Sequence, residues 1–569
     1  MGAYRQGERP PRRRRALIRF GIGGLAAAAA VLLLLPPARI ALPADARDPR
    51  AAAGALHLHT TRSDGGGSPE AVAAAASLAG LNFIILTDHG DGTRIPDRPA
   101  WRSGVLVLDG VEISTTHGHL IGIGMRASVY PLGGDARDVL EDLGRLGGIA
   151  IVAHPASPKA DLAWTDWEAR FDGAEWLSAD SEWRDESWAT LARGALTFFV
   201  RPTESLARIF DRPDALLARL DARAADDPVL LVAGTDAHGG IGGEGKRRLP
   251  FPSYASTLRA LSVRLSLRAA LAGDADKDAS LVLEALRTRR AYTSIDALAG
   301  PPRLNFTAEA GARVEMGGRL PPGRPVTLRV RANGPSGSTI VLLRDGQAIA
   351  RAPVPSLEHV SDGALGAYRV EVYVPGAPGH PAVPWILSNA ITVGGQKDPP
   401  ATEEPRVSPR IVLFEPGDRS RWMAERDPTS HAAISTAGGE GPLELNYTLG
   451  LDEGASPFAA AVRELPYGLA ECQTLVLSLS GSRDMRVSVQ AREPGGERPA
   501  EGRRWRRSVF VPADGRTIVV PLASLAPVEG AGSPHADPAA LRSLLFVVDT
   551  VNTKAGDRGV LRIHRAGCL

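Results

Sequence analysis

Residues 68–89 read SPEAVAAAASLAGLNFIILTDH, and the fold follows from how that stretch divides. Ser68 suits a helix N-cap and Pro69 the first helical position. The alanine-rich run 71–79 is strongly helical, and Gly80 supplies the stop. Residues 82–87 then read as a buried strand, with Asp88 and His89 at its carboxyl end. The same grammar recurs along the chain. Residues 138–146 predict a helix, Gly147-Gly148 a break and 149–153 a strand; 214–225 predict a helix and 229–233 a strand. Further strands are expected at 104–108 and 119–124, a helix at 282–290, and a closing segment at 290–294. Strand and helix alternating through 51–300 predict a parallel sheet, open or closed as a barrel, with ligands at the carboxyl ends of its strands.

The chemistry-bearing residues fall at those ends. Leu56-His57-Leu58-His59 places two imidazoles on one strand face, because side chains two apart point the same way. Asp64 follows in Ser-Asp-Gly. Glu112 stands in Gly-Val-Glu-Ile-Ser, with His119 seven residues on, and His154 lies in Ala-His-Pro. Asp236 and His238 form a second i, i+2 pair in Gly-Thr-Asp-Ala-His. Imidazole and carboxylate together suit zinc, manganese or iron and exclude a soft thiolate site. A single His after a strand is more often a hydrogen-bonded rim residue. The functional reading comes from six such groups in one region.

In this order the motifs resemble the PHP (polymerase and histidinol phosphatase) family over about residues 54–300. The resemblance implies a distorted seven-stranded, TIM-like β/α barrel with two or three divalent metal ions. The family's nine ligand positions fall on His57, His59, Asp64, His89, Glu112, His119, His154, Asp236 and His238. Asp64 stands where relatives often have His, and His117 is off the pattern. By resemblance, Glu112 bridges two metals, His57, His59 and Asp236 complete one of them, and His89 with His154 hold a further one. Asp64, His119 and His238 serve the remaining positions. A hydroxide activated between the metals would attack a phosphorus or carbonyl centre. Asp88 is expected to orient a ligand. Glu112, Asp64, His238 and Asp88 are thus the candidate catalytic residues.

Substrate contacts are less defined. Five of the nine Trp lie from Trp164 to Trp188, among Glu175, Asp180, Glu182, Arg184 and Asp185. They form either an aromatic wall over the metals, with Trp164 in contact with substrate, or packing between helices. Lys246-Arg247-Arg248 is either a phosphate-binding cluster or a solvated loop. The stretch 250–254, PFPSY, is a candidate cleft wall. The barrel's tail and the segment after it are similar to the family branch that includes carbaryl hydrolase, which implies a carboxyl or carbamate ester as the alternative to a phosphate ester.

The flanks differ in kind. Residues 1–50 hold ten Arg and three acidic residues, and an apolar run spans 20–35 before Pro36-Pro37. This predicts a signal peptide, cleaved near Ala44-Asp45-Ala46, or a signal anchor, and so an exported, periplasmic or extracytoplasmic chain held at a membrane. Beyond residue 50 acids outnumber bases, 61 to 56, which disfavours nucleic acid as a partner. Alternating apolar and polar residues predict an Ig-like β-sandwich at 301–394, with a hairpin turn at Asp345-Gly346 and Trp385 in its core or against the barrel. A Pro- and charge-rich linker is expected at 395–409 and a second, jelly-roll-like sandwich at 410–569. That last domain suggests a carbohydrate or envelope ligand, with Trp422 and Trp505 either stacking on sugar or packing inside. Cys472 and Cys568, the two cysteines of the chain, are a disulfide pair if the compartment is oxidising. The expected protein is an exported metal-dependent hydrolase of a small-molecule ester, most simply a phosphoesterase. The rival from another class is a non-catalytic envelope-binding protein.

Overall fold

The computed structural model describes residues 32–43, 48–240, 249, 251–394, 409–418, 420–452, 456–495, 502–528 and 533–569. The basic cluster, most of the apolar run, Ala44-Asp45-Ala46, Lys246-Arg247-Arg248, Pro250 and nearly all of 395–409 lie outside the described residues. Among the described residues no helix is long and apolar enough to cross a membrane.

Among the described residues the first region is built on the strands β1 (Ala51–Leu56), β2 (Phe83–Leu86), β3 (Val105–Thr115), β4 (Gly118–Ile123), β5 (Ile149–Val152), β6 (Gly173–Ser178), β7 (Leu230–Gly234), β8 (Ser262–Ser266) and β9 (Ala291–Ser294), with the short strand Ala100–Arg102 antiparallel to β3. Helix α1 (Pro69–Ala79) forms as its residues dictate: the Ser68 side chain accepts a hydrogen bond from the Ala71 amide, and Gly80 ends the helix at φ 77°. Strands β1, β2 and β3 run parallel. So do β5, β6 and β7. The path returns on itself where Leu58 bridges Ala237 and the Thr235 amide donates to the Leu56 carbonyl. Strand β8 lies antiparallel along β1 and hands the sheet on to β9.

The expectation of a wholly parallel sheet is corrected at β4, which runs antiparallel to both β3 and β5. Thr115 pairs with Gly118, so only Thr116 and His117 remain for the connection. A two-residue link joins antiparallel strands and no others. Inside, Leu56, Phe83, Ile85, Leu106, Ile121 and Val232 are fully buried. Gly54 is required for this packing, because a Cβ there would lie 2.4 Å from the Phe83 ring.

The second region packs two sheets around Phe306, Leu328, Leu342, Val370 and Trp385. Its Asp345-Gly346 turn has positive φ at both residues, as a tight hairpin requires. Hydrogen bonding does not pause at residue 300. The strand Ile386–Ser388 pairs with β9, and the Asn389 amide donates to the Leu231 and Ala291 carbonyls and accepts from the Leu231 amide. Buried Arg369 binds Asp221 of the first region at 2.6 and 2.7 Å.

The described residues of 411–568 form two six-stranded sheets face to face. Trp505 is fully buried and donates to the Ser533 carbonyl, while Trp422 packs on Phe414 and Phe546. Both take the packing role rather than the sugar-stacking one. Cys472 and Cys568 are joined as a disulfide, their Cα atoms 5.3 Å apart. The outer face of one sheet docks on helix α2 (Ala136–Arg145) through Arg486, which reaches Asp142 at 2.7 Å, Glu141 at 2.8 Å and Asp138 at 3.1 Å. The Asn552 side chain adds a bond to the Pro131 carbonyl.

Candidate metal centre

The nine residues singled out by motif converge. They arrive on the segments after β1, β2, β5 and β7, on the middle of β3, and on β4. Glu112 is their hub. Its two oxygens lie 3.2 Å from His57 Nε2, 3.2 Å from His59 Nε2, 3.3 Å from His89 Nδ1, 2.8 Å from His119 Nδ1 and 2.9 Å from His154 Nε2. Asp236 Oδ1 lies 3.3 Å from His57 and 3.2 Å from His59. Half-exposed Asp64 reaches His238 at 3.1 Å and His59 at 3.4 Å.

Ligand atoms within 4.8 Å of one another form four overlapping groups: His59, Asp64, His89, His238; His57, His59, Glu112; His57, His154, Asp236; and His89, Glu112, His119. The sharing differs from the expectation in one respect. His154 falls with His57 and Asp236 rather than with His89, because the Ala153 amide bonds the His119 carbonyl and sets His154 beside His57, ring centroids 5.5 Å apart.

Two observations show that this set fits divalent cations. His57 Nε2, His59 Nε2 and His154 Nδ1 are buried and make no acceptable hydrogen bond, although carboxylate oxygens lie near the first two. Buried polar atoms are otherwise paired almost without exception. The donors are nitrogen and oxygen only, as zinc, manganese and iron accept. The electrostatics agree. Burial alone would lower the pKa of His57, but Glu175, Asp236 and Glu112 overturn it and hold the imidazole well above its usual range. His59, buried but with Glu112 and Asp236 oxygens each 3.2 Å away, is raised to about 9. Burial works against ionised Asp64, yet His238, His59 and His89 hold its carboxyl well below the usual range. Protons thus stand in for cations around carboxylates that stay charged.

Three of these residues carry backbone strain. His57, His154 and Asp236 have φ of 64°, 31° and 42°, the left-handed region that side chains disfavour. Each lies just past a strand end, where the chain twists to aim the side chain inward.

Glu175, read from sequence as part of a tryptophan-rich wall, has a different place. It lies on β6, fully buried, and accepts from His57 Nδ1 at 2.7 Å and from the His154 amide at 2.7 Å. It therefore presents Nε2 of His57 to the shared site. Gly234 makes room for it, since a Cβ there would lie 1.8 Å from Glu175 Oε1. Asp88 acts through other groups. Its carboxylate takes bonds from the Thr60 amide, the Thr60 hydroxyl and the Ser63 hydroxyl, so it pins the loop after His59, and Ser63 Oγ lies 3.5 Å from His59 Nδ1. Trp164 is corrected too. It is 3% exposed, packs on Phe171 and donates its indole N–H to the Asp166 carbonyl. His117 points away to Thr165. Lys246, Arg247 and Arg248 lie outside the described residues.

A cavity of about 460 Å³ opens beside Asp64, Asp236 and His238. Its wall is an excursion after β6: helices α3 (Ala179–Arg184), α4 (Trp188–Phe198) and α5 (Pro202–Ala207). Trp183 is the member of the tryptophan cluster that lines it, and Phe251 and Pro252 close another side. Buried Glu182 anchors α3 by accepting from the Asp211 amide at 2.9 Å. Burial, reinforced by the charges of Asp211 and Asp185, pushes its carboxyl from 4.5 to about 9. Between those values the unfolded chain ionises Glu182 and the folded one does not, so this contribution to stability is complete below about pH 4.5 and is lost as pH rises through about 9. Glu182→Gln is expected to match wild type near pH 4 and to exceed it by up to roughly 5 kcal/mol at pH 8. Urea midpoints across that range measure the difference; parallel curves for the two proteins would refute it.

No family model matches the chain. A protein of Methanocaldococcus jannaschii, the uncharacterized MJ1587, is 30% identical over 116 residues, which is 18% of this chain and 67% of that protein. Among solved structures, a two-domain protein of Bacteroides vulgatus containing a predicted PHP-like metal-dependent phosphoesterase aligns over 63% of this chain and 99% of its own, at 14% identity and TM-score 0.29. A family 11 carbohydrate-binding module of Clostridium thermocellum, solved with a mixed-linked tetrasaccharide, aligns over 28% of this chain and 96% of its own, at 16% identity and TM-score 0.24. Structural likenesses at these scores carry no weight beside the geometry of the site itself.

Proposed function

We propose, for a chain that belongs to the same family as MJ1587 of Methanocaldococcus jannaschii, a metal-dependent hydrolase of the PHP type acting on a small-molecule phosphate ester. One observation carries this reading: three buried imidazole nitrogens without hydrogen bonds, gathered around Glu112 and Asp236. In this reading the seven strands β1–β7 are a distorted barrel, and His57, His59, Asp64, His89, Glu112, His119, His154, Asp236 and His238 hold two or three divalent ions. Bound ions of this kind supply a Lewis-acidic centre that activates water near neutral pH. The chain's own residues do the rest. Glu112 is shared between neighbouring positions, and Glu175 fixes His57. Half-exposed Asp64 and partly buried His238, 3.1 Å apart, face the cavity as members of the ligand set, so the proton that the leaving alcohol needs comes from water. In the balanced step, water oxygen bonds to phosphorus, the ester P–O bond breaks and the departing oxygen takes up a proton. Export through the 1–50 segment, with attachment to a membrane, belongs to the same proposal.

A carboxyl or carbamate ester is the second reading. It is favoured by the cavity wall, where the cation Arg184 is already bound to Asp180 at 2.5 and 3.0 Å. Elemental analysis, with hydrolysis of p-nitrophenyl phosphate and p-nitrophenyl acetate, tests both readings on wild type and on His57→Ala/His59→Ala. Two or more transition metals per chain and phosphate-ester hydrolysis lost in the variant are expected. Metal-dependent hydrolysis of the acetate alone would move the assignment to the second reading. Folded protein that takes up no metal would overturn both.

A further inference from the structure

The cavity beside the metal centre has a chemistry of its own. At one end stand Asp64, Asp236 and His238; the rest is lined chiefly by Trp183, Phe198, Leu206, Ile209, Phe210 and Phe251. Phe198 and Phe251 meet edge to face, centroids 4.2 Å apart, and make one continuous aromatic wall from two separate segments. The charge on the described wall is internally cancelled: Asp180 takes both Arg184 and the Trp183 indole N–H. Its volume of about 460 Å³ is that of a small-molecule site, within the roughly 300–1,000 Å³ such sites occupy.

We infer that this cavity is the substrate-side pocket of the metal centre and takes an apolar chain or ring carried on the ester. The inference rests on the hydrolase reading and adds to it a substrate class. A sugar phosphate or nucleotide would bring hydroxyl and base polar groups against phenyl and aliphatic walls, with their hydrogen bonds lost. An alkyl or aryl group instead gains the transfer energy of its buried surface. Two sources can provide such a group, a soluble ester or a membrane lipid. The ends of α4 bear on the choice, because Trp188 at its start and Phe199 just past its end are each 87% exposed. The Arg193 side chain on that helix also holds the Leu34 carbonyl, at the end of the N-terminal apolar run.

Gly194 gives access to a test. It lies within α4 on the cavity wall, and the nearest atom to a Cβ built there is the Ser205 carbonyl oxygen at 3.9 Å. Gly194→Leu thus extends a side chain into open space and also favours the helix. Phosphate release from methyl, hexyl and decyl phosphate is measured with metal-loaded wild type and variant. Binding of methyl- and hexylphosphonate to metal-free protein is followed by calorimetry. In wild type, kcat/KM is expected to rise at least tenfold from methyl to hexyl phosphate. Hexylphosphonate is expected to bind more tightly than methylphosphonate, with a more negative heat-capacity change. In Gly194→Leu both preferences fall tenfold or more, with metal content and melting temperature as folding controls. Decyl phosphate offered as monomer and in phosphatidylcholine vesicles separates the sources: faster hydrolysis from vesicles assigns a membrane-borne substrate, and faster hydrolysis of monomer a soluble one. Equal kcat/KM for methyl and hexyl phosphate, with equal phosphonate affinities, would overturn the pocket while leaving the hydrolase. Chain-length-dependent binding in a protein that hydrolyses no phosphate ester would uphold the pocket and overturn the phosphoesterase.

Discussion

Replacing Glu112 by Gln is expected to empty the metal centre and to lower ester hydrolysis by at least about 10²–10³-fold, the scale on which removing one electrostatic anchor acts in an active site. The reason is geometric. Five imidazoles stand within 3.3 Å of this one carboxylate, and no second residue touches as many of the proposed ligands. Gln keeps the volume but removes the charge, and it turns an N–H₂ toward nitrogens that must face a cation. The metal-free protein should suffer as well. Glu112 is 1% exposed, and the protonated His57 and His59 beside it would keep Asp236, Glu175 and half-exposed Asp64 as counter-charges. Metal content by elemental analysis and initial rates on p-nitrophenyl phosphate check the expectation, with circular dichroism as the control for folding. A variant that retained full metal content and activity within about threefold would remove Glu112 from the centre of the mechanism.

Arg486→Met is expected to cost about 3–5 kcal/mol, the usual result of breaking a buried ion pair by removing one partner. The guanidinium is fully buried between two regions of the chain, and Asp142 opposite it is 1% exposed. Methionine fills the space and leaves Asp142, Asp138 and Glu141 facing it without their cation. Phe510 stacks on Arg145 at 3.8 Å nearby, so part of the apolar contact survives. The loss should therefore appear as a C-terminal sandwich that unfolds earlier, giving two transitions in urea where wild type gives one. Arg486→Lys should recover only part, because an ammonium cannot reproduce the fork of bonds to Asp142. Arg486→Met/Asp142→Asn should recover more, since it removes the stranded charge. A single transition at the wild-type midpoint in Arg486→Met would show that the interface draws little from this ion pair.

Much of the candidate site was readable from residues alone, for a physical reason. A metal ligand is recognised by the identity of its side chain, and strand ends are recognisable from apolar runs. His57, His59, Asp236 and His238 therefore stood out as i, i+2 pairs, and the convergence of all nine residues follows from the strand order. What could not be read depends on partners far away in the chain. Glu175 acts on His57, 118 residues earlier, and nothing in the local pattern of β6 marks it. Its best signal is Gly234, a small residue at a strand end whose reason is the carboxylate it leaves room for. The positive φ of His57, His154 and Asp236 has no sequence signature, because none is a glycine. Trp164 stayed open between an aromatic wall and packing because its segment is polar; the segment folds back beside the start of β4 and buries it. The antiparallel β4 was concealed by its composition, which suits either direction; only the length of the turn decides.

The hydrogen bonds of Asn389 bear on what counts as a module in this protein. Strand β7 leads into Asp236 and His238, and its edge at Leu231 is completed by an amide from the following β-rich region. The same region extends the sheet from β9 and holds Asp221 through Arg369. A gene fragment ending at residue 300 would thus encode every candidate metal ligand yet leave the strand that delivers two of them with bare backbone groups. Insertions or exchanges of the outer β-strands would act on the candidate site through that edge.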